Sequence, residues 1–329
     1  MAVESNARIL SGERLSWAES LRTLLDSEPL PFRPDEVEGV LKRLDDLLPG
    51  HGTISERHQR FLRRFDIPQR RLRTAAEAGL RATRARTRAL FDLPSGEKIR
   101  LRLVRKRTWS AYTWYLGRGQ SMIDITADQP HHPEGILRAI AHEAYPGHHT
   151  FLSVREHLLV RGKGWREHAV SPLVSPLSLI SEGAGYMALH VIMSEGEIRG
   201  FVREVLAPLV GMNHGDLDHY FAVNAALGTG EYQNGVIMEA ARRLLVEKAP
   251  AQKVIGFMIE CGFSRGIAKG ACRFAKTYQA YICAYRLGLE IVKAYLGTGP
   301  ERVARYRELL CRPFTPSGLR AVLDPSPVS

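Results

Sequence analysis

Apolar residues recur at spacings of three and four along most of this chain, the pattern of helices that bury one face. Val37, Val40, Leu41, Leu44, Leu47 and Leu48 show it most plainly. Residues 8–48 read as two helical pieces, parted by Pro29, Pro31 and Pro34 and closed by Pro49-Gly50-His51-Gly52. The same spacing predicts helices near residues 55–65, 69–91, 134–145, 151–160, 176–193, 197–211, 216–227, 233–248, 267–296 and 301–310, with a short last one from Thr315. Alternation of period two is confined to residues 97–106 (EKIRLRLVRK) and 121–126 (SMIDIT), which predict two strands. The expected fold class is therefore mainly α, with a small β-sheet just ahead of the 134–145 helix.

Composition narrows the picture. With 329 residues and 44% hydrophobic content, the chain can bury a large core. No apolar run approaches the ~20 residues needed to span a bilayer, and residues 1–20 lack the basic-then-apolar order of a secretory leader. Cysteines 261, 272, 283 and 311 form no CxxC pair, so they predict no disulfide framework, and a reducing cytoplasm is the expected location. The net charge of +11 arises in one place: residues 51–110 carry 17 Lys/Arg against 5 Asp/Glu. Arg81, Arg84 and Arg88 there share a helix side. Without zinc-finger spacing, a helix-turn-helix or an RNA-binding aromatic signature, this reads as a solvated face and not as a nucleic-acid site.

The chemistry concentrates in HEAYPGHH, residues 142–149. Neutral imidazole is the commonest metal ligand, and an adjacent glutamate can take a proton from water at a metal. The HExxH template would put two histidines one turn apart, but its last position is Pro146 here. On an unbroken helix His149 would lie about 10 Å beyond His142, and His148 would point about 120° away. Pro146 and Gly147 predict a break at Tyr145–Gly147 that returns His148 to His142, with His149 as the alternative. Further on, Glu182 stands among Leu179, Ile180, Ala184, Met187, Ala188 and Leu189. A carboxylate in so apolar a segment needs a partner, and a metal is one. His142, His148 and Glu182 are the expected metal ligands and Glu143 the expected base. His131-His132, flanked by prolines, reads as exposed. Tyr278, Tyr281 and Tyr285 read as a packing stripe, and Arg286 as a helix arginine that faces solvent, with binding of a substrate carboxylate as the alternative.

HExxPGH followed by an apolar helix with Glu182-Gly183 resembles the domain-of-unknown-function 885 family. The segment Trp109-Ser110-Ala111-Tyr112, with Tyr115-Leu116-Gly117 and Ser121, is similar too, as are Tyr285 with Gly288 and the stretch around Leu309–Leu319. The resemblance covers roughly residues 60–325. Phe151 departs from it, standing where the family often has Gln, and Tyr186 comes one residue early after Glu182-Gly183. The resemblance implies a helical, zincin-like (gluzincin) metallopeptidase fold, its small sheet edging the active-site cleft, with one Zn2+ ion as cofactor. The expected organisation is one catalytic domain over 1–329, with 1–60 a helical cap and 97–325 the metal-site core. Tyr285 joins Glu143 as a catalytic candidate, donating to the developing oxyanion.

The expected function is a metal-dependent hydrolase that cleaves a peptide or other amide bond with activated water and Glu143 as general base. The alternative is a biosynthetic metalloenzyme of the same fold acting on a small molecule, with iron or another divalent ion, since the ligand set accepts either metal. The expected partners are a peptide or small-molecule amide, with neither membrane nor nucleic acid.

Overall fold

The computed structural model describes residues 2–212 and 214–324. The last residue of the expected 97–325 core, and both ends of the 1–329 domain, lie outside the described residues. Five helices come first: α1 (Ala2–Leu10), α2 (Trp17–Leu25), α3 (Pro34–Leu47), α4 (Ile54–Leu62) and α5 (Gln69–Leu90). The expected two pieces over 8–48 are thus three. The extra break falls at residues 11–16, where Gly12 has φ of 92° and Ser16 caps α2 through the Glu19 N–H.

Three strands follow, not two: β1 (Lys98–Val104), β2 (Ala111–Gly117) and β3 (Gln120–Thr126), in the order β1-β3-β2. β3 pairs parallel with β1 and antiparallel with β2, the latter through the turn at Gly117–Gly119. β2 escapes the alternation rule because AYTWYLG is apolar or aromatic on both faces, and it is the strand left at one edge.

The remaining elements are helical. α6 (Pro133–Glu143) and α7 (His148–Arg155) carry the motif, and α8 (Pro176–Ile192) carries Glu182. Next come α9 (Glu195–Phe201), α10 (Ala207–Val210), α11 (Leu217–Leu227), α12 (Glu231–Leu245) and α13 (Ala251–Glu260), the last not anticipated. The single helix expected over 267–296 is two, α14 (Arg265–Tyr278) and α15 (Ile282–Leu296). Gln279, at a φ of 48°, lies outside right-handed helical geometry and ends α14, although the tyrosine stripe runs on across the break. α16 (Arg302–Cys311) and α17 (Pro316–Leu323) complete the chain.

The core sits where α8 and α15 cross. A Cβ on Gly183 would lie 2.1 Å from the Gly288 carbonyl oxygen, and one on Gly288 would lie 2.1 Å from that of Leu179. Two glycines thus let the helix backbones touch, which fixes α8 and its carboxylate against α15. α5, α6 and α16 pack around this pair. The arginine-rich α5 exposes Arg81 and Arg88, but Arg84 turns inward to Glu97. Among the described residues no helix is long and apolar enough to cross a membrane.

Candidate metal centre

The motif breaks at the expected place. α6 ends at Glu143, Ala144 leaves helical geometry (φ −110°, ψ −94°), and the Tyr145–Pro146 peptide is cis. The Gly147 N–H returns to the Ala141 carbonyl at 3.0 Å, and α7 starts at His148. Gly147 is required there because a Cβ would lie 1.8 Å from the His142 carbonyl oxygen. Tyr306 of α16 fastens the break: its buried hydroxyl lies 3.1 Å from both the Pro146 and Ala184 carbonyl oxygens, tying the turn to α8.

This geometry brings His142 and His148 together with ring centroids 4.6 Å apart and planes at 89°. Glu182 meets both from α8. Its Oε2 is 3.2 Å from His142 Nε2 and its Oε1 is 3.5 Å from His148 Nε2. Potential ligand atoms of the three residues all lie within 4.8 Å of one another. His148 is aimed by its other nitrogen, with Nδ1 2.9 Å from Ser181 Oγ. His142 lies flat on Gly185, where a Cβ would come within 2.7 Å of the ring.

Electrostatics bind the cluster. Burial alone would raise the Glu182 carboxyl, but His148 first and then His142, both facing it, hold it well below the usual carboxylate range. Burial would likewise lower His148, yet Glu182, with Glu143 behind it, pushes that imidazole up to about 9. Glu182 Oε2 is buried and has no hydrogen-bond partner. An oxygen in that state, faced by imidazole nitrogens on a Gly-cleared helix, fits a bound cation. Two histidines and one carboxylate would leave one position open on a four-coordinate ion.

His149 is not part of the cluster. It is fully buried, with Nδ1 2.7 Å from Ser121 Oγ on β3 and Nε2 3.3 Å from Glu97 Oε2. Glu97 also receives Arg84 at 2.6 Å and the Tyr145 hydroxyl. Burial raises the Glu97 carboxyl, but these three donors together hold it below its ordinary value. The second histidine of the pair thus anchors α7 to the sheet while its neighbour faces Glu182.

Glu143 is buried beside the triad and is held from β2. Thr113 Oγ1 lies 2.6 Å from its Oε2 and 2.7 Å from its main-chain oxygen, sharing one proton between them. Around the site runs a ring of aromatics. Tyr186 packs edge-on to His142 at 5.2 Å and donates to Asn234 Oδ1 at 3.2 Å. Tyr285 follows at 6.3 Å from Tyr186, and Tyr281 at 5.4 Å from Tyr285. Tyr281 donates to Glu182 Oε1 at 2.5 Å. Burial first, and the nearby carboxylate second, raise the phenols of Tyr281 and Tyr285 well above their ordinary range.

Three expectations change here. Tyr281 is not only packing. Arg286 does not face solvent: it is buried, with Nη1 2.7 Å from Glu290 Oε2 and Nη2 4.0 Å from Glu36 Oε2. His131 is buried, its Nε2 2.8 Å from the Thr126 carbonyl oxygen at the end of β3, and its own carbonyl accepts the Ile67 N–H at 2.8 Å, so the loop is not a free proline turn. Sequence reasoning also missed Thr113, Glu97 and Tyr306. Only Glu97 gave a signal, as an acidic residue opening an otherwise basic strand. A shallow surface depression bounded by Phe32, Arg33, Glu36, Tyr232 and Arg286 contains none of the cluster.

No family model matches the chain, and no curated protein does. Among solved structures, it is similar to a protein of Colwellia psychrerythraea described as a "putative lipoprotein", with a TM-score of 0.62 and 16% identity. The match covers 94% of this chain and 55% of the other, so the chain spans about half the length of that protein. The likeness is one of fold.

Proposed function

We propose that this protein is a metal-dependent hydrolase that cleaves a peptide or other amide bond. The observation that carries the proposal is the cluster of His142, His148 and Glu182, whose potential ligand atoms all lie within 4.8 Å of one another, with Glu182 buried. His142, His148 and Glu182 would hold a divalent ion, with zinc the reading the ligand types favour. Such an ion supplies Lewis acidity, polarising an amide carbonyl and making a water easier to deprotonate.

The chain's own residues do the rest. Glu143 takes the proton of the attacking water and delivers it to the leaving nitrogen, so the carboxylate acts first as base and then as acid. Thr113 keeps it turned toward the site. The outer edge of β2 has no strand beside it among the described residues. A peptide laid along that edge by main-chain hydrogen bonds would run past Glu143. Tyr285, in the wall beyond Tyr186, is the proposed donor to the oxygen that gains charge.

Metal analysis of the purified protein, paired with Glu143→Gln, tests the proposal. Expected are one equivalent of metal in both proteins, its loss in His142→Ala, and a fall in turnover of roughly 100- to 10,000-fold in Glu143→Gln. A metal-free protein with full activity, or an undiminished Glu143→Gln, refutes it. Turnover of a small metabolite with none on a peptide library, or dependence on iron, would replace it with the biosynthetic reading, because a two-histidine, one-carboxylate set also serves iron.

A further inference from the structure

We infer that Tyr281 is a positioning residue for the metal centre: its phenol occupies Oε1 of Glu182 and reserves Oε2 as the one oxygen that Glu182 gives to a cation. The inference rests on the metal reading above and goes beyond it by assigning how the carboxylate binds. The two oxygens of Glu182 are unlike. Oε1 accepts the Tyr281 hydroxyl at 2.5 Å, a short charge-assisted bond, and lies 3.5 Å from His148 Nε2, while Oε2 accepts from no hydroxyl and lies closer to its imidazole, 3.2 Å from His142 Nε2. A phenol has one proton to donate, so this bond commits it.

The fold builds this contact and holds it. Tyr281 lies in the single turn Gln279–Tyr281 that interrupts the α14–α15 stretch, and the left-handed Gln279 re-aims the chain there. Were the helix continuous, the stripe of Tyr278, Tyr281 and Tyr285 would stay on one face as packing. The Tyr281 ring is caught between Tyr285 at 5.4 Å, Tyr278 at 6.2 Å and Phe274 at 6.4 Å. The Gly183–Gly288 contact fixes α8 relative to α15, so the donor and acceptor come from backbones in direct touch. Both ends of the bond are therefore set by packing before any ion arrives.

The chemical consequence is coordination number. A carboxylate with both oxygens free can chelate a cation through two atoms and fill the position that an incoming water or carbonyl needs. With Oε1 engaged by Tyr281, Glu182 offers one oxygen and the position stays open. Partners of this kind typically contribute about 10- to 100-fold to metal affinity when they orient a ligand.

The experiment compares wild type, Tyr281→Phe and Tyr285→Phe as metal-free proteins. Each is titrated with Zn2+ against a chromophoric chelator and with Co2+ by visible absorption, and each is melted without metal. Tyr281→Phe is expected to weaken Zn2+ binding about 10- to 100-fold. Its Co2+ absorption is expected to weaken and shift toward a higher coordination number. Tyr285→Phe is expected to leave both within about twofold, since Tyr285 does not touch the carboxylate directly. Unchanged Zn2+ affinity and Co2+ spectrum in Tyr281→Phe overturn the inference, and a lowered melting point with unchanged metal binding does so too. If wild type takes up neither ion, the metal centre falls with it, a result distinct from the loss of Tyr281's role alone.

Discussion

Replacing Gly185 by alanine separates metal binding from folding. A Cβ at Gly185 would stand 2.7 Å from His142 Cε1, 2.8 Å from Nδ1 and 2.9 Å from Nε2. Carbon atoms in contact settle at about 3.5–4.0 Å, so the ring must recede by at least about 0.8 Å. Metal sites hold their ligand distances to about 0.2 Å, so that recession is several times the tolerance. The obstacle is a side chain that can yield, and alanine in a helix is about 1 kcal/mol better than glycine. The metal-free Gly185→Ala protein should therefore melt at or slightly above the wild-type temperature, while Zn2+ affinity falls at least about tenfold, or 1.4 kcal/mol. Gly183→Ala, two residues away, should do the reverse. Its Cβ would meet the Gly288 carbonyl oxygen at 2.1 Å and carbon at 2.4 Å, which are backbone atoms of α15. Overpacking of that kind costs about 1–3 kcal/mol or more and should lower the melting temperature of the metal-free protein by several degrees. Chelator competition and thermal melts on the same two proteins read both effects. Wild-type Zn2+ affinity in Gly185→Ala would refute the argument, since His142 would then not be a ligand held against α8.

Thr113→Val keeps the shape of β2 but removes the hydrogen bond that orients Glu143. Turnover should drop about tenfold with metal content unchanged, and an unaltered rate would show that the carboxylate is oriented by something else. A pH dependence of stability follows from His58 and His190. Burial, reinforced by the neighbouring charge of His132 for one and of Arg138 and Arg302 for the other, lowers both imidazoles to about 4. Between that value and the ordinary 6.5, the unfolded chain binds protons that the folded one refuses, so stability is full above about 6.5 and is lost as pH falls toward 4. Each histidine should contribute up to about 2 kcal/mol of loss between pH 7 and pH 5. Urea unfolding at the two pH values measures it, and a His190→Gln variant with the same slope as wild type would contradict the assignment.

Much of the candidate site was legible in the chain itself. The failure of HExxH at Pro146 pointed to a broken helix, because proline and glycine act on the backbone locally and no partner is needed to work out their effect. Glu182 stood out for the same kind of reason: a charge amid apolar helix positions is costly wherever that helix goes. The choice between His148 and His149 was a different matter. Adjacent residues in a helix point about 100° apart, and which of the two faces α8 depends on where the sheet lies. Ser121 and Glu97 claim His149 from that side, and neither is near it in sequence.

The tyrosines mark the same boundary. Spacing placed Tyr278, Tyr281 and Tyr285 on one stripe, and the stripe was compatible with packing alone. The turn at Gln279 and the backbone contact of Gly183 with Gly288 deliver the Tyr281 hydroxyl to Glu182. β2 went unread because an edge strand with apolar residues on both faces has no alternation to betray it, and with β2 went Thr113. The sequence by itself determined the local events: which segments bury a face, where the motif helix must break, and which residues carry metal-binding chemistry. The tertiary structure decided which of those residues meet, since a hydrogen bond such as that between Tyr281 and Glu182 depends on two helices 99 residues apart in the chain being pressed backbone to backbone.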